Sequence, residues 1–181
     1  MSNLNAHIEQ YISYYLTLKG NVGYAVLLHG EWGCGKTWFI KKLISDYKVQ
    51  HSDGPRFLYI TLYGVTAASE IEDQIFQQLH PLLSSKPMAL AGKILKGVLR
   101  TSLKIDFSDH DANSSATVTP DLNDINVPEY LKKTDDCVLV FDDLERCRMP
   151  VSIILSYINS FVEHQGSKVI IVANETELDS F

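Results

Sequence analysis

Apolar residues along this chain follow two rhythms. Short, almost unbroken runs occur at 24–29 (YAVLLH), 57–63 (FLYITLY), 138–141 (VLVF) and 168–174 (KVIIVAN). Each predicts a strand covered on both faces, as in a parallel sheet, and the 57–63 run is apolar enough to be an internal strand. Elsewhere apolar positions recur every three or four residues. They are Ile8, Ile12, Tyr15 and Leu16; Phe39, Ile40, Leu43, Ile44 and Tyr47; Ile71, Ile75, Phe76, Leu79 and Leu82; and Ile153, Ile154, Tyr157, Ile158, Phe161 and Val162. That spacing gathers each set on one side of a helix. Strands alternating with helices predict an α/β domain of three layers, α/β/α, around a mostly parallel sheet.

The polar punctuation agrees. Asn3 or Asn5 can cap the first helix, and Gly20 and Gly23 end it. HSDGP at 51–55 breaks the chain before the second strand, Ser69 and Glu72 have the spacing of a capping box, and Gly166 is a natural helix stop. The segment 86–126 reads as an insertion or loop region. In its first part Leu90, Ile94, Val98 and Leu103 alternate with Lys93, Lys96, Arg100 and Lys104. This basic amphipathic pattern suits either a membrane-surface or partner-binding helix or an ordinary helix with a solvated face. Gly92 and Gly97 favour the second. Residues 106–126 are polar without a period and read as a loop that lacks the calcium-loop pattern, and Pro128 can start a short helix through Lys133.

Candidate chemistry collects at strand ends. Directly after the first run comes GEWGCGKT, residues 30–37, and directly after that a helical pattern begins. Strand, glycine-rich turn and helix is the context that G-x-x-x-x-G-K-[ST] needs to bind phosphate. Gly30, Gly33 and Gly35 let backbone N–H groups turn inward around a polyphosphate, and the helix adds its positive N-terminal end. Lys36 is then the mobile charge for the β- and γ-phosphates, and the Thr37 hydroxyl a ligand for Mg²⁺. Trp32 can stack on a base, shield the phosphates or pack on the surface, whereas Cys34 contributes only backbone.

The third run ends in DDLER. Asp142 at the carboxyl end of that strand would face the metal, Asp143 is placed to polarise an attacking water, and Glu145 competes for that role. Arg146 can neutralise charge near the γ-phosphate or pair with an acid. Asn174 closes the last run, either as a γ-phosphate or water contact or as a turn former. The first helix can pack beside a bound base or cover one edge of the sheet.

Composition narrows the setting. At 181 residues and 45% hydrophobic the chain has enough material for one domain with a real core, and a formal charge of −6 gives no strong nucleic-acid signal. Cys34, Cys137 and Cys147 form no C-x-x-C pair, and the N-terminus lacks the blocks of a signal peptide. No apolar run approaches bilayer-spanning length. The expectation is a reduced, cytoplasmic setting, with peripheral membrane contact as the alternative.

Together GEWGCGKT and VLVFDDLERC resemble the KAP family of P-loop NTPases, in which a tryptophan precedes the second glycine and the acidic strand ends in D-D-x-[DE]-R. The resemblance covers residues 16–178 and implies a sheet of the ASCE type, ATP or GTP with Mg²⁺, and a regulatory switch. By that pattern the nucleotide is held by Gly30, Glu31, Trp32, Gly33, Cys34, Gly35, Lys36, Thr37 and Trp38, and the metal by Thr37 and Asp142. Asp143 or Glu145 activates water, and Asn174 is a sensor. Many members carry transmembrane helices between the motifs; the segment here is amphipathic and basic. Such sheets share a fifth strand beside the phosphate-loop strand and then a helical lid. Phe181 follows the last predicted strand closely, so the expectation is an N-terminal fragment of a longer protein, or a split subunit, without that strand and lid.

Three functions compete. The first is a nucleotide hydrolase that switches a protein partner or C-terminal effector domain, with a homo-oligomer as a further expectation and bacterial anti-phage defence as a family-level guess. The second is a nucleotide-binding adaptor with little turnover, docking through residues 93–104. The third, a small-molecule kinase, lacks the arginine-rich lid such enzymes need.

Overall fold

A computed structural model describes residues 5–79 and 137–178. The strands are β1 (Val26–His29), β2 (Arg56–Thr61), β3 (Cys137–Asp142) and β4 (Lys168–Ala173). They pair in the order β1-β4-β3-β2, every pair parallel. The helices are α1 (Ala6–Thr17), α2 (Lys36–Gln50), α3 (Ala68–Leu79), α4 (Val151–Glu163) and the short α5 (Glu175–Leu178).

Residue alternation along the strands divides the core between two faces. Val138 and Val140 of β3 with Ile170 and Val172 of β4 meet Ile12, Tyr15 and Leu16 of α1 and Phe39, Ile40, Leu43 and Ile44 of α2. Leu139 and Phe141 with Val169 and Ile171 meet Ile71 and Ile75 of α3 and Ile154, Tyr157, Ile158 and Phe161 of α4. The three predicted layers are therefore present. Truncating a fully buried member such as Leu139 to alanine costs about 2–5 kcal/mol by lost transfer energy and cavity formation, so the strand that carries Asp142 is held firmly. Tyr15 fixes α1 to the sheet: its hydroxyl accepts from the Val169 N–H at 2.9 Å and donates to the Tyr24 carbonyl at 3.0 Å.

Two expectations need correction. Among the described residues the 57–63 run is not an internal strand: β2 stops at Thr61 and lies at an edge of the sheet. Its apolar character comes from helices on both faces, which says nothing about whether both edges are paired. On the outer edge, the Gln78 carboxamide accepts from the Tyr59 N–H at 2.9 Å and donates to the Tyr59 carbonyl at 2.7 Å. Gln74 does the same at Thr61, both contacts at 2.9 Å. Four helical residues rise about 6 Å and two strand residues about 6.6 Å, so glutamines at i and i+4 match alternate residues of β2. The pair occupies the place of a neighbouring strand.

The capping box is also displaced. Ser69 lies inside α3, and the carboxylate that reaches back is Glu70, which accepts from the Thr66 hydroxyl at 2.6 Å and the Thr66 N–H at 3.1 Å. Gly64, with φ of 72°, turns the chain so that Thr66 rather than Ser69 meets the helix start. Leu82, the basic segment at 88–104, the polar stretch at 106–126 and the helix expected after Pro128 lie outside the described residues.

At the other margin β1 pairs only with β4 among the described residues. Beside it, an open groove of about 470 Å³ is lined by Ile8 and Tyr11 of α1 and by Leu27 and His29, among others.

Candidate active site

All four strands are parallel, so His29, Thr61, Asp142 and Ala173 end on the same side of the sheet. The turns that leave these ends form the site. The loop after β1 is shaped by its glycines. Gly33 and Gly35 have φ of 83° and 90°, in the left-handed region that strains any residue with a Cβ. At Gly30 the limit is space, because a Cβ would stand 2.9 Å from the Cys34 Sγ. The loop is tied to the sheet by the Gly30 N–H, which donates to the Ala173 carbonyl at 3.2 Å. It opens into α2, whose first-turn N–H groups have no helical acceptor.

Lys36 folds over this loop, its ammonium donating to the Gly30 carbonyl at 2.5 Å and the Glu31 carbonyl at 3.1 Å. Thr37, the next residue, donates its hydroxyl to Asp142 Oδ2 at 2.8 Å. Asp142 is 1% exposed at the end of β3. Its Oδ2 accepts a second hydroxyl, from Tyr59 on β2, and its Oδ1 accepts the Asp143 N–H at 2.8 Å.

Asp143 has φ of 61°, the one positive value outside glycine among the described residues. Aspartate tolerates this conformation better than most residues, and it turns the chain sharply from β3 into the single 3₁₀ turn Leu144–Arg146. Burial, and next the charge of Asp142, push the Asp143 carboxyl up from the ordinary range. Arg146 and Lys36 pull it down. Arg146 Nε lies 3.7 Å from Asp143 Oδ1, and its guanidinium stands 5.5 Å from the Trp32 ring centre and 5.4 Å from that of Tyr63.

Glu145 is buried and accepts the Trp32 indole N–H at 3.0 Å, while its other oxygen is buried with no hydrogen-bond partner. Trp32 is therefore joined to the DDLER turn rather than only packed on the surface. An open cleft of about 420 Å³ runs between Trp32, Lys36 and Thr37 on one side and Asp142, Asp143 and Glu145 on the other. Gly33, Gly35, exposed Trp38 and Arg146 also line it. A larger groove, about 870 Å³, lies at the opposite end of the sheet near Lys19, Asp53 and Lys168, far from these groups.

Most expected site residues thus share one cleft. Asn174 does not line it: buried at the end of β4, its side-chain oxygen accepts the Thr176 hydroxyl at 2.8 Å and its carbonyl the Glu177 N–H at 3.2 Å, so it caps α5. Glu31 and Cys34 contribute backbone groups to the loop, with Glu31 O accepting the Cys34 N–H at 3.4 Å. Tyr59 is the residue that motif reading missed. Its signal was a phenol within an otherwise apolar run, two residues before the strand end that pairs with Asp142.

The donor set fits Mg²⁺, a hard cation that takes hydroxyl and carboxylate oxygens and few protein ligands. A loop that turns through positive φ at Gly33 and Gly35, so that successive N–H groups face inward, fits a polyphosphate. Parallel sheet, glycine loop, helix and facing carboxylate together define a P-loop domain of α/β type.

The model of the KAP family P-loop domain matches residues 4–180, and the chain belongs to that family. A search of curated proteins finds no match. No described helix is long and apolar enough to cross a membrane.

Proposed function

We propose that this domain binds ATP or GTP with Mg²⁺ and hydrolyses it, and that the bound state is a switch read by a protein partner or a further domain. The observation that carries the reading is the 2.8 Å hydrogen bond between Thr37 and Asp142, which joins two motifs 105 residues apart in sequence. Backbone N–H groups of the loop and the start of α2 would hold the phosphates, with Lys36 moving from the loop carbonyls onto them. Thr37 and Asp142 would hold Mg²⁺, which supplies neutralising charge to the phosphate oxygens.

Asp143 takes the proton of the water that attacks the γ-phosphorus, as the bond to the β-phosphate oxygen breaks. Its raised affinity for a proton suits a base. Arg146 stabilises charge at the same end of the cleft. A second reading, a binding adaptor with slow turnover, is favoured by one contact: Glu145, the competing base, is already engaged by Trp32.

Calorimetry with ATP or GTP and Mg²⁺, followed by phosphate-release assays, tests both. Saturable binding that Lys36→Ala abolishes, with release that Asp143→Asn suppresses, is the expected result. Binding without release supports the adaptor. No heat of association with well-folded protein ends both readings.

A further inference from the structure

We infer that Tyr59 is a positioning residue for the carboxylate of Asp142, and through it for the metal. The inference rests on the nucleotide and Mg²⁺ reading above. A carboxylate has about four lone-pair sites, and three of those on Asp142 are taken. Thr37 and Tyr59 donate to Oδ2, and the Asp143 N–H donates to Oδ1. With both hydroxyls on one oxygen, rotation of the carboxylate is blocked and Oδ1 keeps the remaining free site. The Thr37 hydroxyl has spent its proton on Asp142, so only its lone pairs face any other group.

Tyr59 itself does not line the cleft. It acts through Asp142. Its own placement is determined twice over: Gln78 holds its backbone, and the Lys41 ammonium lies 4.6 Å from its ring centre. A phenol fixed at both ends delivers its hydroxyl to Oδ2 without the entropy loss of ordering a free side chain. The register pairs Thr61 with Asp142 and Tyr59 with Val140, so the phenol reaches along the sheet from two residue pairs below its target.

Removing the hydroxyl leaves Oδ2 with Thr37 alone and lets the carboxylate turn. Outer-shell partners of metal ligands typically contribute about 10–100-fold to metal affinity. The test is Tyr59→Phe, which keeps the ring beneath Lys41. Binding of a fluorescent ATP analogue to the 181-residue chain is titrated with Mg²⁺, and Mn²⁺ binding is followed separately by electron paramagnetic resonance.

The expected result is a rise of about tenfold in the Mg²⁺ concentration at half-saturation. Metal-free nucleotide affinity and melting temperature should stay near wild type. In an Asp142→Asn background the same substitution should add nothing, because its route to the metal is already altered. An unchanged Mg²⁺ midpoint in folded Tyr59→Phe, alongside a shifted one in Thr37→Ala, overturns the inference and leaves the nucleotide reading intact. Wild-type protein that shows no metal-dependent nucleotide binding overturns both.

Discussion

Replacing Gln78 by alanine removes the hydrogen bonds of 2.9 and 2.7 Å that close the outer edge of β2 at Tyr59. Each typical hydrogen bond contributes about 0.5–1.5 kcal/mol net, and a buried group left without a partner costs about 1–3 kcal/mol. Tyr59 is only half-buried, so water recovers part of the loss, and alanine returns a few tenths of a kcal/mol through helix propensity. The balance is a destabilisation of about 2 kcal/mol. Gln74→Ala removes an equivalent pair at Thr61, but that residue is exposed and water can replace both contacts. Its cost should stay below about 1 kcal/mol.

For a chain of this size 1 kcal/mol moves the melting temperature by about 2–4 °C. Thermal unfolding followed by circular dichroism should therefore place Gln78→Ala about 4–8 °C below wild type and Gln74→Ala clearly closer to it. Equal shifts, or a larger one for Gln74→Ala, would refute the argument, because burial of the strand backbone is what separates the two sites.

Further expectations concern charge and the cleft. Hydrogen bonds from the Thr66 hydroxyl and then the Thr66 N–H hold the Glu70 carboxyl below its ordinary value, so its stabilising effect is present above about pH 4.3 and fades as pH falls through the lower folded-state value. Acid unfolding of Glu70→Gln should show a shallower slope in that window, and an unchanged slope counts against the cap. Trp32→Phe keeps a ring near Arg146 but withdraws the donor to Glu145. If Glu145 has to be held for turnover, phosphate release should drop about tenfold, a barrier change near 1.4 kcal/mol, with nucleotide affinity little altered. Faster release would instead identify Trp32 as a restraint.

Much of this architecture was legible in the residues. Periodicity located the strands and helices, because burial on two faces of a sheet leaves unbroken apolar runs such as VLVF at 138–141. Motif spacing singled out Lys36 and Thr37, the end of an apolar run singled out Asp142, and the three line one cleft. Lateral contacts were not legible. Nothing local in FLYITLY separates an internal strand from one whose edge is closed by helix glutamines, and the phenol of Tyr59 meets Asp142 only once β2 and β3 are in register. Glu70 outcompeted Glu72 as the capping carboxylate for a similar reason: the turn at Gly64 sets the helix start, and spacing alone does not reveal it.

The unequal margins of the sheet give it a direction. Among the described residues, side-chain amides satisfy the main chain outside β2 at Tyr59 and Thr61, while β1 has no strand on its outer side, only the groove beside Tyr11 and Leu27. A sheet takes up a further strand at a margin whose main chain is not already bonded. His29 runs straight into Gly30, so the outer margin of β1 and the turn of the glycine loop are one continuous stretch of backbone.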